Sequence, residues 1–175
     1  RTLANHAGRS SQGDRQRTGM QLSVVAVGHR QPDWVSAGCA EYVKRMPREL
    51  TVAVIEIKPE PRGSKTREQL LAAEKSRIRE AVQGNQRLVI LDERGDDLTT
   101  LQLAKRLEHW MQDGRDAALL IGGADGLDES LKAAADDRLR LSSLTLPHGL
   151  ARLVLCEQLY RAASVIKNHP YHREG

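Results

Sequence analysis

The feature that most constrains the fold is a regular alternation of short apolar runs with longer segments of helical periodicity between residues 20 and 168. The apolar runs are continuous and rich in valine, isoleucine and leucine, which is typical of strands that are buried on both faces of a parallel sheet. The predicted strands are 22–28, 50–57, 87–92, 117–123 and 138–143. This order predicts an α/β fold with a mostly parallel sheet and helices on both of its faces.

The segments between the strands carry the signals of helix N-termini. Thr66 and Gln69 form the pattern of a capping box, in which each side chain satisfies a free backbone N–H at the other residue. Thr99 and Gln102 repeat this pattern. The predicted helices begin at Pro32, Thr66, Thr99, Asp128 and Gly149, and the last of them extends to about Asn168.

The first 19 residues differ in character from the rest of the chain. They contain four arginines and one aspartate, so they account for +3 of the formal net charge of +4. They show neither the apolar segment of a secretion signal nor any helical or alternating periodicity. We expect 1–19 to be a flexible leader and 20–175 to form a single domain. Because that domain is almost neutral, only a local basic patch could indicate a nucleic-acid partner.

The composition excludes several classes of protein. Hydrophobic residues make up 39% and charged residues 29% of the chain, which is the balance of an ordinary globular protein and not of a disordered one. The apolar runs fall short of the about 18 residues that a membrane span requires. Cys39 and Cys156 are too few for a disulfide framework and lack the paired spacing of a zinc motif. The sequence therefore predicts a cytoplasmic protein that uses neither a membrane nor a metal.

Two segments at predicted strand ends are candidates for ligand binding, because ligands of parallel sheets bind beyond the carboxyl ends of the strands. In "IGGADGL" (121–127), Gly122 and Gly123 would let a ligand approach the backbone, or would only shape a turn. The segment "SSLTLPHGL" (142–150) mixes leucines with hydroxyl side chains and a proline. It predicts a loop packed inside the protein whose backbone groups bind a ligand, or alternatively a turn whose leucines fill the core.

The last predicted helix is apolar around most of its circumference. Its narrow polar stripe consists of Glu157, Gln158, Arg161 and Ser164. A helix of this kind must be covered on nearly every side, so we expect one face to meet the sheet and the other to meet a second copy of the chain. This pattern predicts a homodimer. Glu157 and Arg161 either support a functional site or form a plain interhelical ion pair.

The C-terminal segment "NHPYHREG" concentrates His169, Tyr171, His172 and Arg173. A zinc site is poorly supported, since two histidines lack a third and fourth ligand. A solvated tail is a second interpretation. As an RNA site the segment makes chemical sense, because tyrosine or histidine can stack on an unpaired base and arginine can bind a phosphate.

Five segments together resemble the ribosomal RNA large subunit methyltransferase H family, which is of the SPOUT class. They are "VAVGHRQPDWV", "VILDERG", "LLIGGADGL", "LSSLTLPH" and "NHPYHRE", in this order. The resemblance extends over residues 20–175, and the last segment is highly specific to the family. The chain departs from the family pattern at Ala124 and Asp125, where Pro-Glu is expected, and at Ser143, where alanine is expected.

The resemblance implies a SPOUT-type fold with a C-terminal trefoil knot and a homodimer. It implies binding of S-adenosylmethionine and methylation of N3 of a pseudouridine in 23S rRNA on the assembled ribosome. Together with their position past strand ends, it predicts that the cofactor contacts are Leu91, Gly123, Ser142, Ser143, Leu144, Thr145, Leu146 and Pro147.

In this interpretation the tail provides the catalytic side chains. We expect His172 to accept a proton or to position the base, Arg173 to favour the anionic base or bind a phosphate, and Tyr171 to stack. Two alternatives remain. One is a ribosome-binding or assembly factor that keeps the fold without catalysis. The other is a nucleotide-binding hydrolase that uses His148 and Asp92, for which the sequence shows no nucleotide fingerprint.

Overall fold

The computed structural model describes residues 19–173, without the side chain of His172. The predicted leader therefore lies outside the described residues, apart from Gly19. The strands are β1 (Met20–Val27), β2 (Leu50–Ile57), β3 (Arg87–Asp97), β4 (Ala117–Ile121) and β5 (Asp137–Arg140). The helices are α1 (Asp33–Arg45), α2 (Arg67–Ala81), α3 (Thr100–Asp113), α4 (Glu129–Ala133) and α5 (His148–Ile166), and a short 3-10 turn spans Pro170–Arg173.

The five strands form one sheet in the order β2-β1-β4-β3-β5. Every neighbouring pair is parallel, which confirms the predicted α/β class. All five residues of the central strand β4 are buried, as the continuous apolar run predicts. The carboxyl ends of the strands therefore meet at one edge of the sheet, where the chain continues into the candidate ligand-binding segments.

Helices cover both faces of the sheet. On one face α3 and α5 contribute Leu107, Trp110 and Leu159 to the larger apolar cluster, and α1 packs beside α5. On the other face α2 and α4 contribute Ile78 and Leu131 to a second cluster with alternate residues of the same strands. This division follows from the period of two in the strands, because successive side chains point to opposite faces.

The structure revises the expected surroundings of α5. This helix lies between α1 and α3, so most of the surface that the sequence assigned to a second copy is covered within the same chain. The reason is that three helices share this face of the sheet, and the middle one has neighbours on both flanks. Leu150, in the first turn of α5, remains 37% exposed.

The predicted helix caps are confirmed. Thr66 Oγ1 accepts a hydrogen bond from the backbone N–H of Gln69 (3.2 Å), and Gln69 Oε1 accepts one from that of Thr66 (2.9 Å). Thr99 and Gln102 form the same reciprocal pair. Asp128 caps α4 by accepting from the backbone N–H of Ser130. Each cap stabilises its helix by about 1 kcal/mol.

The ends of β3 and β5 differ most from those predicted. β3 continues to Asp97 through a register shift between Leu91 and Asp96, and its extension pairs with β5. Gly95 permits this pairing, because a Cβ there would lie 2.5 Å from the backbone of Leu139. The extension was not predicted, because "DERGDD" is polar and does not continue the apolar run of the strand. β5 ends at Arg140, so Ser142 and Ser143 belong to the following loop. Among the described helices, none has the length and apolar character to cross a membrane.

Candidate functional site

An open cavity of about 760 Å³ lies at the carboxyl ends of β3, β4 and β5. Its wall is formed by the start of the β3 extension, the glycine turn after β4, the loop after β5 and the start of α5. Seven of the eight residues predicted to contact a cofactor line it: Leu91, Gly123, Ser142, Ser143, Leu144, Thr145 and Leu146. The eighth, Pro147, is the N-cap residue that precedes α5, and it does not form part of the wall. Their contact with a cofactor stays a prediction.

The glycine turn, residues 122–126, is a closed turn whose shape depends on its glycines. The backbone N–H of Gly126 donates to the carbonyl oxygen of Gly123 (3.0 Å), and Gly126 has a positive φ of 84°. A Cβ at Gly122 would lie 2.7 Å from the backbone of Gly126. A Cβ at Gly123 would lie 3.1 Å from Val27 Cγ1. Gly122 and Gly126 therefore shape the turn itself, and the backbone of the turn forms part of the cavity wall.

The loop after β5 is not packed inside the chain, so both interpretations of its sequence were wrong on this point. Leu144 is 77% exposed, and Thr145 is exposed beside it. The physical reason is that β5 is an edge strand and the loop borders an open cavity, so no element among residues 19–173 covers it. The loop is held locally, since the backbone N–H of Leu144 donates to Ser142 Oγ (2.9 Å).

The cavity wall also carries charged groups that a ligand could use. Lys132 Nζ lies 3.8 Å from Asp92 Oδ2. Arg140 donates from Nη2 to Asp97 Oδ2 (2.7 Å), while its Nε is buried and has no hydrogen-bond partner among the described residues. The size of the cavity and this unsatisfied donor fit a nucleoside-sized polar ligand such as S-adenosylmethionine.

His148 and Asp92, the pair of the hydrolase alternative, both line the cavity. Asp92 is engaged elsewhere, because Oδ1 accepts from the backbone N–H of Arg94 (3.0 Å) and the carboxylate faces Lys132. The structure thus brings the two residues to one cavity without giving them the contact that an acid–base pair requires. Within the described part of the chain, no group of three or more His, Cys, Asp or Glu side chains could hold a metal ion.

The C-terminal turn is fastened to α5 and α1 through Tyr171. Its hydroxyl donates to Glu157 Oε1 (3.2 Å) and lies 3.3 Å from the hydroxyl of Tyr42. Its ring lies 4.6 Å from that of Tyr160, and the guanidinium of Arg161 lies 4.9 Å from its centre. Burial and the hydrogen bond with Tyr42 raise the pKa of Tyr171, so it stays a neutral phenol.

These contacts give Tyr171 an anchoring position. The predicted stacking on an RNA base would require the ring to leave this cluster. Tyr42 and Tyr160 were not predicted as partners of the tail. A signal was present in the composition, since the chain has three tyrosines and no phenylalanine, and all three tyrosines meet here.

Glu157 and Arg161 form an ion pair within α5, and not the interhelical pair that one interpretation predicted. Arg161 donates to Glu157 Oε1 from Nε (2.8 Å) and from Nη2 (2.7 Å), one turn apart on α5. Both side chains also contact Tyr171. The pair therefore supports the tail as well as the helix.

The tail and the cavity lie apart within one chain. In the region that the structure describes, the cavity wall includes no residue of 167–173. Arg173 is exposed at the end of the 3-10 turn, and the side chain of His172 lies outside the described part. Action of the described tail residues on a ligand in the cavity would thus need a second chain or a movement of the tail.

A family model described as "Predicted SPOUT methyltransferase" matches residues 20–172. The chain belongs to the SPOUT methyltransferase family. The ribosomal RNA large subunit methyltransferase H of Dechloromonas aromatica is 81% identical over 156 residues, which are 89% of this chain and 100% of that protein. The protein of the same name from Burkholderia thailandensis is 58% identical over 155 residues, 88% of this chain and 99% of its own. The resemblance found in the sequence is thereby confirmed.

A solved structure shares the fold of this chain. It is that of a "probable methylase family protein" from Haemophilus influenzae, with a TM-score of 0.51 and 15% identity. The alignment covers 87% of this chain and 69% of the other. At this identity the likeness concerns the fold alone.

Proposed function

We propose that this chain is an S-adenosylmethionine-dependent methyltransferase that acts on ribosomal RNA of the large subunit. The observation that carries the proposal is the 81% identity to a ribosomal RNA large subunit methyltransferase H across that protein's whole length. In the finer form of the proposal, the enzyme methylates N3 of a pseudouridine in 23S rRNA on the assembled ribosome, in the cytoplasm.

The cavity supports the choice of cofactor. Leu91, Gly123 and the loop residues 142–147 would hold S-adenosylmethionine mainly through backbone groups, and Arg140 Nε offers a further donor. When bound, the cofactor would supply an electrophilic methyl group that a nucleophile attacks in line, with the sulfonium sulfur leaving as a neutral thioether, which requires positioning and no metal. The glycine turn lets the ligand lie close to the backbone.

The nucleophile would need help from the tail, because an imide N3 carries a proton at neutral pH. His172 is proposed to accept this proton or to position the base, since a histidine titrates near neutrality. Arg173 would favour the anionic base electrostatically or bind a phosphate. Tyr171 would hold both residues in place through Glu157.

A homodimer would bring the tail and the cavity together. In one chain the tail lies away from the cavity, so we propose that the tail of one protomer serves the cavity of its partner. Exposed apolar side chains near the carboxyl edge of the sheet support an interface there. They are Trp34 (58% exposed), Leu144 (77%) and Leu150 (37%). Covering them removes apolar surface from water.

The proposal is tested by methyl transfer to ribosomes isolated from cells that lack the gene. The purified protein and labelled S-adenosylmethionine should add one methyl group to one pseudouridine of 23S rRNA, located by mass mapping. Assembled ribosomes and free 23S rRNA are compared in parallel. Cofactor binding in calorimetry without transfer to any RNA would overturn the enzymatic proposal, and an absence of cofactor binding would favour the non-catalytic ribosome-binding factor.

A further inference from the structure

The glycine turn of the cavity rests on a part of the chain that does not itself line the cavity. Arg62 Nη2 lies 3.1 Å from Asp125 Oδ1 and 2.8 Å from Asp125 Oδ2. Arg67 Nη2 donates to the backbone carbonyl oxygen of Asp125 (2.8 Å). We call these contacts of Arg62 and Arg67 with Asp125 the arginine clamp. Arg62 belongs to the loop between β2 and α2, and Arg67 is the first residue of α2.

The clamp acts at the tip of the turn. Ala124 and Asp125 are its two central residues, and neither has a positive φ, so the turn is of type I. Gly122, Gly123 and Ala124 line the cavity beside the tip. Because one short turn joins the tip to the wall, a displacement of Asp125 displaces the cavity wall.

The contacts of the clamp are more numerous and less exposed than those of an isolated surface ion pair. Asp125 has a side chain only 24% exposed, whereas that of Arg62 is 65% exposed. Arg62 approaches both carboxylate oxygens and thereby fixes their position. Arg67 binds the backbone of the same residue, so side chain and main chain are held by two separate arginines. The start of α2 is itself fixed by the capping box of Thr66 and Gln69.

We propose that the arginine clamp positions the glycine turn and thereby sets the affinity of the cavity for S-adenosylmethionine. This inference rests on the proposed function. Arg62 and Arg67 are positioning residues, because neither lines the cavity.

The test compares cofactor binding in the full chain and in a double variant, Arg62→Ala with Arg67→Ala. We expect roughly fivefold weaker binding of S-adenosylmethionine in calorimetry, the range expected for the loss of one ion pair and one charged hydrogen bond at a partly exposed site, with an unchanged turnover at saturating cofactor. Arg62→Lys combined with Arg67→Ala should recover part of the affinity that the double alanine variant loses, because lysine keeps the charge of Arg62 but not its planar guanidinium. Arg79→Ala is the matched control, an exposed arginine on the same helix.

A second variant separates positioning from general stability. Ala124→Pro places proline at the second position of a type I turn, where its fixed φ pre-forms the turn. When Arg62→Ala and Arg67→Ala are added to the Ala124→Pro protein, the affinity for S-adenosylmethionine should fall less than when they are added to the parent. If the parent binds the cofactor and the double variant binds it equally well, the clamp has no such role and the proposed function stands. If the parent binds no cofactor, both proposals fail.

Discussion

The hydroxyl of Tyr171 lies 3.2 Å from Glu157 Oε1, so the end of the chain is tied to the middle of α5. Glu157 is held in turn by Arg161, and the ring of Tyr171 packs against Tyr160. The position of Tyr171 is therefore set by helix packing. In the proposed enzyme this contact fixes where the tail can act.

Tyr171→Phe removes the hydroxyl and keeps the ring contacts. We expect about tenfold slower single-turnover methylation of ribosomes, because a hydrogen bond to a carboxylate contributes about 1.5–3 kcal/mol. Cofactor affinity should not change. Tyr42→Phe is the matched control, since it leaves the bond between Tyr171 and Glu157 in place and should have a smaller effect. Equal rates for Tyr171→Phe and the parent would contradict the anchoring role.

Deletion of residues 171–175 should abolish methyl transfer and leave cofactor binding intact. The reason is that the described cavity wall contains no residue from the tail. Calorimetry measures the cofactor, and ribosome methylation measures transfer. Full activity of the truncated protein would show the tail to be a solvated end and would move the chemistry to Glu157 and Arg161.

Ala151→Leu should weaken cofactor binding at least tenfold. Ala151 lines the cavity from the first turns of α5, so a larger side chain would occupy space that the ligand needs, while leucine preserves helix propensity. Ala72→Leu, at an exposed position of α2, is the control and should bind normally. Calorimetry and thermal unfolding are measured on both variants. Unchanged affinity for Ala151→Leu would place the cofactor elsewhere.

Glu74→Gln should raise the melting temperature near neutral pH. Burial raises the pKa of Glu74, a carboxyl that lies behind the glycine turn. The Glu74 carboxyl therefore binds its proton more tightly in the folded protein than in the unfolded chain. Its contribution to the free energy of unfolding is present at low pH and is lost as the pH rises through the pKa of the folded state. Glutamine stays neutral and can still accept from the N–H of Glu60. The advantage should vanish below about pH 4, where glutamate is protonated in both states. An equal advantage at all pH values would contradict this cause.

Leu150→Glu should convert the proposed dimer into a monomer that no longer methylates ribosomes. Placing an unpaired charge in an interface costs several kcal/mol. Analytical ultracentrifugation measures the association, and Ala72→Glu on the opposite face of the sheet is the control. A parent protein that sediments only as a monomer at micromolar concentration would refute the homodimer.

Local signals predicted most of the secondary structure. The capping boxes at Thr66 and Thr99 and the buried run of β4 involve residues close in sequence, so the sequence alone identifies them. The β3 extension could not be predicted, because it depends on the pairing of Asp96 with Leu139, distant in the chain. The trefoil knot stays a prediction from the family resemblance.

The candidate site was predicted at the level of segments and less well at the level of side chains. Placement past strand ends identified the cavity wall, since parallel strands end at the same edge of a sheet. The exposure of Leu144 and the clustering of Tyr42 with Tyr171 depend on which helices become neighbours. That information is not contained in the periodicity of any one segment.

The place of α5 in the core has a consequence for biosynthesis. Leu155, Leu159 and Ala162 share one apolar cluster with Leu22 of the first strand and Leu119 of the central strand. Helix α5 thus completes a layer that β1 began, and a nascent chain keeps that layer uncovered until α5 has left the ribosome. Prematurely terminated chains would expose it permanently, which makes them substrates for chaperones and proteases and not smaller working domains.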